Sequence, residues 1–304
     1  MYGCSCDGGG LGNLGSSVCA PLSSVPNLLG YMPIYDSTGA KNKIDLNATL
    51  DEAFFLALIN EPDPSKRLYI SPVFENVKKP RADSTFEEAP SGRKVKIKGG
   101  KKSFSGEHWE VSEQLSAHYE NYSCGAFGVF EIDITGNFKG RKVGTDLYPI
   151  LVDNKSFDVK FVDAEDATTT KLMVSFDFDR LMKDSDNWMI TSDEVGFDFN
   201  SLEPLKDVDL VFSAKTSTTV VFDAKLQFGT ALEKIAVEGL VAADFSLYDN
   251  TAAGAVTLSS VVESSTVPGR YTATYSAITG SVNELTLTCL KDGLAKATLD
   301  YVDA

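Results

Sequence analysis

The fold of this chain is indicated first by Glu110-Val-Ser-Glu-Gln-Leu-Ser-Ala-His-Tyr-Glu-Asn-Tyr122 and by the segment that follows it closely, Ala126-Phe-Gly-Val-Phe-Glu-Ile-Asp133. In the first segment apolar residues return at helical spacing, which predicts an amphipathic helix. In the second segment the period changes to two, which predicts a strand with Phe127 and Val129 on one face. The pair Gly136-Asn137 then predicts a turn, because both residue types accept positive φ.

More strand-like runs follow this unit. They lie at Phe138–Val143, Leu147–Val152, Phe157–Asp163, Lys171–Asp179 and Trp188–Ile190. One amphipathic helix lying on antiparallel strands is a compact arrangement. We therefore predict a mainly β domain over residues 49–204, of the sandwich or barrel type with one packed helix.

Residues 1–48 are predicted to form an extended N-terminal arm. Glycine is dense between residues 3 and 15, and prolines lie at positions 21, 26 and 33. Arms of this composition often become ordered only against a neighbouring subunit. A short helix is predicted to follow the arm over Asn47–Ile59, with Asn47 or Thr49 as its N-cap.

The five cysteines indicate a reducing compartment. Cys4, Cys6 and Cys19 lie in the predicted arm and are open to interpretation as a small metal site. No Cys-x-x-Cys motif and no nearby histidine completes a zinc set, so free thiols are favoured.

Composition sets the class of protein. The chain has 304 residues, of which 43% are hydrophobic, and this is enough for the cores of one large or two ordinary domains. Its formal net charge of −15 argues against an outer surface that wraps nucleic acid. No apolar run reaches the roughly 18 residues of a transmembrane helix. The N-terminal residues lack the basic and apolar regions of a secretory signal, so we expect synthesis in a cytosol.

One segment has the opposite charge. Residues 66–102 contain eleven Lys or Arg against four Asp or Glu. Near the end of this segment lysines alternate with Val95 and Ile97, which predicts a half-buried strand with one basic face. Gly99-Gly100 is interpreted as a turn. We predict a long basic hairpin over about residues 75–107, since a connection of this length is usually functional or disordered.

The acids are concentrated further along the chain. Residues 141–209 contain sixteen acidic residues against eight basic ones. A basic hairpin and an acidic body are self-complementary, which favours head-to-tail contacts between copies of the chain. An unevenly charged, solvated surface is the alternative. The predicted subunit-contact residues are Arg93, Lys94, Lys96, Lys98, Lys101 and Lys102.

Residues 205–304 are predicted to form a separate immunoglobulin-like β-sandwich. Short alternating strands separated by turn residues every 8–12 positions are typical of that fold. Only Cys289 lies in this region, so the sandwich would lack the usual disulfide. The strand-like runs are Val208–Ser213, Thr218–Asp223, Glu233–Val237, Ala243–Tyr248, Ala255–Val262, Tyr271–Ala277, Glu284–Cys289 and Ala295–Tyr301.

The sequence offers no pattern for catalysis. It has no nucleophile-elbow motif and no phosphate-binding loop. His118 lies on the apolar face of the predicted helix, where we expect a packed side chain. The acids Asp177, Asp179, Asp184 and Asp186 have a spacing that suits calcium, but a calcium-loop sequence is absent, so a solvated face is favoured. We expect no enzymatic activity, no cofactor and no metal.

The run Gly128-Val-Phe-Glu-Ile-Asp-Ile-Thr-Gly-Asn-Phe-Lys-Gly140, preceded by a helix with a Tyr-rich end, resembles the tail tube proteins of long-tailed bacteriophages. The basic hairpin and the appended immunoglobulin-like domain fit this resemblance, which covers roughly residues 45–205. The Gly- and Cys-rich arm departs from simpler tube proteins and leaves its own role open.

The resemblance implies a virion structural protein that is assembled in the host cytoplasm and contacts other phage tail proteins. Copies would form homo-hexameric rings that stack into a tube, with hairpins reaching into the next ring. An acidic channel would let viral DNA pass without specific binding, because it repels phosphates. No membrane contact is implied.

Two other classes stay open. One is another virion component, such as a capsid, decoration or connector protein. A common phage capsid fold needs a long spine helix, whereas no amphipathic helix predicted here exceeds about 14 residues. The other is a non-enzymatic glycan-binding or adhesion module, against which the missing secretion signal and the presence of only two tryptophans count.

Overall fold

The structure is a computed structural model, and it describes residues 22–180, 182–230, 232–276, 278 and 283–303. The chain is mainly β and is built from antiparallel sheets, so the predicted fold class is confirmed. It divides into two compact units, with the boundary between Pro204 and Leu205.

The first unit combines short helices with one large sheet. Its helices are α1 Glu52–Ile59, α2 Glu113–Glu120 and α3 Ser192–Val195. Its strands are β1 Pro26–Pro33, β2 Ile44–Asp45, β3 Tyr69–Ile70, β4 Glu75–Lys78, β5 Thr85–Glu88, β6 Lys94–Lys98, β7 Ser103–Trp109, β8 Phe127–Asp133, β9 Phe138–Val143, β10 Asp146–Tyr148, β11 Ile150–Val162, β12 Lys171–Phe178 and β13 Asn187–Ile190. The large sheet has the order β2-β10-β9-β8-β11-β12-β7-β4, with β1 on β8 and β3, and β13 on β9. β5 and β6 form a separate two-stranded sheet.

Strand β1 lies in the core of this unit, which corrects the prediction of an extended arm over residues 1–48. It pairs along β8, with Leu29 opposite Glu131 and Tyr31 opposite Val129. Leu29 and Tyr31 are at most 1% exposed. The remaining arm residues, 1–21, with Cys4, Cys6 and Cys19, lie outside the described part of the chain.

The prolines that suggested an irregular arm mark the ends of this strand. Pro26 and Pro33 are its first and last residues, where a missing N–H does least damage to the ladder. Between them the sequence has no polar alternation, because the strand is covered on both faces. The continuous apolar run between the two prolines is therefore the sequence feature that indicates a buried strand here.

The helix predicted over residues 110–122 is confirmed in its centre as α2, followed by a 3₁₀ turn over Asn121–Cys124. Its buried residue is Tyr119, whose ring centroid lies 5.9 Å from that of Tyr31 on β1. His118 is only half-buried, so the helix presents the neighbouring tyrosine to the core instead.

Strand β8 lies where it was predicted, strand β12 shows the predicted alternation of burial, and β11 differs from its prediction. Every residue of β8 is buried. In β12 the even-numbered residues from Leu172 to Phe178 are buried, as predicted. The two strands predicted over residues 147–152 and 157–163 are largely the single strand β11. Its register against β12 shifts between Asp153 and Asp158, so the polar residues there form an irregularity rather than a break.

Helix α1 begins later than predicted. Its N-cap is Asp51, whose carboxylate accepts a hydrogen bond of 2.9 Å from the N–H of Phe54. Neither Asn47 nor Thr49 caps it, because the helix begins at Glu52. Phe55, three residues after Glu52, is fully buried and packs the helix into the core.

The second unit is a β-sandwich. Its strands are β14 Val208–Lys215, β15 Thr219–Gly229, β16 Lys234–Ala236, β17 Phe245–Asp249, β18 Gly254–Val256, β19 Leu258–Glu263, β20 Arg270–Tyr275, β21 Asn283–Cys289 and β22 Ala297–Asp303. One sheet has the order β14-β15-β20-β19, with β16 on β15, and the other has the order β18-β17-β21-β22.

Residues of both sheets share one core in this unit, for example Phe222 on β15 and Leu287 on β21. The single strand predicted over residues 255–262 is two strands, β18 and β19, one in each sheet. Cys289 is buried and free, in agreement with the prediction of a sandwich without its disulfide.

Candidate assembly surface

The candidate site is a long hairpin that joins β4 to β7. Its two arms pair antiparallel from Glu75 opposite Glu107 to Glu88 opposite Lys94. The distal part is made by β5 and β6, which pair with each other and with no other strand of the described chain. β5 has four residues and β6 has five, which corresponds to a reach of roughly 15 Å.

The tip of the hairpin is the turn between the acidic end of β5 and the basic start of β6. In this turn the N–H of Ala89 donates to the carbonyl oxygen of Arg93 over 2.9 Å. The prediction of a turn at Gly99-Gly100 is therefore wrong. At Gly100 a Cβ would lie 1.7 Å from the carbonyl oxygen of Ala82 on the opposite arm. The glycine is needed because the two arms approach each other closely there.

The distal hairpin exposes apolar side chains on both faces. Phe86 is 57% exposed, Val95 is 45% exposed and Ile97 is 59% exposed. Phe86 lies opposite Lys96 on one face, and Val95 and Ile97 lie on the other. The prediction that β6 is half-buried is wrong, because both apolar residues of the strand, Val95 and Ile97, are exposed.

The basic residues near the tip are exposed as well. Arg93, Lys94 and Lys96 are exposed, and none of them makes an ion pair with another described residue. The side chain of Lys98, on the same strand, lies outside the described set. The acids Glu87 and Glu88 occupy the opposite strand β5, so β6 is the basic edge of the hairpin.

The other two predicted contact residues have partners within the chain. Lys101 pairs with Asp177, and Lys102 pairs with Asp184. Arg81 also reaches Asp184, at 2.8 Å. These ion pairs join the root of the hairpin to the C-terminal end of β12 and to the turn after it. Lys101 and Lys102 therefore belong to the root, whereas Arg93, Lys94 and Lys96 are available at the tip.

Two of the four acids considered as calcium ligands, Asp177 and Asp184, are these ion-pair partners. Asp177 also accepts a hydrogen bond of 2.5 Å from the hydroxyl of Ser103, next to its pair with Lys101. The described residues contain no group of three or more acids, histidines or cysteines that could hold a metal ion.

The one fully buried histidine is a core residue. The ring nitrogens of His108 lie 2.9 Å from the carbonyl oxygen of Val73 and 2.9 Å from the hydroxyl of Tyr119. Burial lowers the pKa of His108 to about 4, so the ring is neutral at neutral pH. The alternation of β7, in which Phe104, Gly106 and His108 point inward, was the sequence signal for this position.

Comparison of the chain with protein families, with curated proteins and with solved structures finds no match. None of the helices in the described ranges is long and apolar enough to cross a membrane.

Proposed function

We propose that this protein is a structural subunit that polymerises with copies of itself, as a tail tube protein of a bacteriophage virion. The observation that carries the proposal is the exposed β5–β6 hairpin. It has apolar side chains on both faces and unpaired basic side chains on β6.

Such a hairpin is suited to assembly because it has little stability of its own. A two-stranded hairpin is marginal in water, and three exposed apolar side chains close together are a mark of a protein contact. Burial of a large apolar side chain contributes about 1.5–3 kcal/mol. A neighbouring subunit that covers both faces would stabilise the hairpin and the assembly together.

The arrangement of the large sheet also supports rings. Its outermost strand β4 pairs on one side with β7 and with no second strand in the described chain. A closed ring of copies removes exposed sheet edges of this kind. In the proposed assembly hexameric rings stack around a channel, and the net charge of −15 keeps passing DNA from adhering. Other tail proteins would cap the tube, which forms in the host cytoplasm.

Electron microscopy of the purified protein, combined with light scattering over a concentration series, tests this proposal. We expect rings or tubes with a central channel, and a mass that rises with concentration. A protein that stays monomeric at every concentration would refute it. Closed shells or plugs without a channel would instead favour a capsid, decoration or connector protein.

A triple variant tests the role of the hairpin. Phe86→Ser, Val95→Thr and Ile97→Thr together should abolish assembly and leave the circular dichroism of the monomer unchanged. A matched control replaces Ile235 and Val262 by Thr in the second unit, where they are 55% and 60% exposed. The control should assemble like the wild type.

A further inference from the structure

Acidic residues collect at the end of β7 that lies away from the hairpin. β7 leaves the hairpin root at Ser103 and ends at Trp109, roughly 20 Å further on. The loop between β11 and β12 closes at that far end, where the N–H of Glu110 donates to the carbonyl oxygen of Thr170 over 3.0 Å. The hairpin and this loop therefore occupy opposite ends of the same strands.

This far end, which we call the acidic end, carries five carboxylates. All five side chains are exposed, and none makes an ion pair with a described residue, unlike the acids at the hairpin root. The residues of the acidic end are Glu110, Glu113, Asp163, Glu165 and Asp166.

Apolar side chains lie beside these acids. Trp109 is 52% exposed and Met173 is 38% exposed. They share the outer face of the sheet with Lys171 and Glu107, which pair with each other, because Trp109 lies opposite Lys171 and Met173 lies opposite Glu107. The acidic end therefore offers carboxylates next to apolar surface, which complements a strand that offers lysines next to apolar side chains.

We infer that the acidic end of one copy binds the basic strand β6 of a second copy. This inference rests on the proposed function and names the two surfaces that meet. The acids of the body beside the hairpin root, Asp177 and Asp184, are already paired with basic residues of the root. The bases at the tip and the acids at the far end make no ion pair within the described chain, and their charges are complementary.

The contact is head-to-tail, since each copy carries the two surfaces at opposite ends of one set of strands. A heterologous contact of this kind repeats from copy to copy and generates a ring or a continuous stack. Because the charges are exposed, assembly should weaken as salt rises.

Reversal of the charges on each surface tests the inference by sedimentation velocity. The tip variant is Lys94→Glu with Lys96→Glu, and the acidic-end variant is Glu165→Lys with Asp166→Lys. Each alone should raise the concentration needed for assembly by at least about tenfold. An equimolar mixture should assemble again, because each contact in an alternating stack then joins opposite charges.

A matched control makes the same change of net charge elsewhere, with Glu233→Lys and Glu238→Lys in the second unit. It should assemble at the wild-type concentration. If the acidic-end variant assembles normally while the tip variant does not, the hairpin binds another surface and the inference is wrong, although the proposed function stands. If both variants assemble normally, β6 carries its lysines only to protect an exposed edge. A wild-type protein that never assembles refutes the proposed function itself.

Discussion

The buried ring of His108 makes the first unit sensitive to acid, and the size of the effect follows from the structure. The ring is 1% exposed, and its centroid lies 3.9 Å from that of Phe74. A proton on it would place a charge in an apolar core. Burial lowers the pKa in the folded state to about 4, against an ordinary value of 6.5.

The direction of the pH effect on stability follows from which state of the protein binds the proton. Between these pKa values the unfolded chain binds the proton and the folded chain does not, so acid favours unfolding. The contribution is fully present above about pH 6.5 and is lost as the pH falls towards 4. A difference of this size corresponds to about 3 kcal/mol in all, of which about 2 kcal/mol should be lost between pH 7 and pH 5.

The assay is urea unfolding at pH 7 and pH 5, followed by tryptophan fluorescence. Both tryptophans, Trp109 and Trp188, lie in the first unit, so the signal reports that unit alone. The reference is His108→Gln, which keeps a donor and an acceptor but does not titrate. Carboxylates that are common to both proteins cancel in the comparison. If wild type and variant lose equal stability between pH 7 and pH 5, the acid sensitivity does not come from His108.

Two further predictions concern single positions. Gly100→Ala should displace one arm of the hairpin, because its Cβ would lie 1.7 Å from a backbone oxygen, and should impair assembly as seen by light scattering. Gly99→Ala, which has nothing within 4 Å of the added carbon, is the control and should assemble normally. In the second unit Arg270 binds Asp223 through two hydrogen bonds of 2.6 and 3.0 Å. Arg270→Met should lower the melting temperature, because the buried Asp223 carboxylate then keeps only the 3.8 Å ion pair with Lys225, and Asp223→Asn in addition should recover part of that loss in thermal melts followed by circular dichroism.

Periodicity predicted the elements that have one buried face or one buried stripe. β12 alternates strictly because one side meets the core, and α2 appears at helical spacing for the same reason. β1 was missed because it is covered on both faces, so its sequence shows no alternation and its prolines suggested an irregular segment. The N-cap of α1 was misplaced by two to four residues, since Asn47, Thr49 and Asp51 are all suitable caps and the sequence does not rank them.

Charge counts predicted the hairpin but not how its charges are used. The excess of bases in residues 66–102 is divided by the fold into a root, where Lys101 and Lys102 meet acids of the same chain, and a tip, where Lys94 and Lys96 meet none in the described chain. The boundary between root and tip follows from the close approach of the two hairpin arms at Gly100, because the arms continue beyond the sheet from that point. A sequence reports the sum of charges over a segment, whereas self-assembly depends on those that the fold leaves unpaired. The tip is therefore the part of the basic segment where charge reversal should affect assembly without affecting the fold.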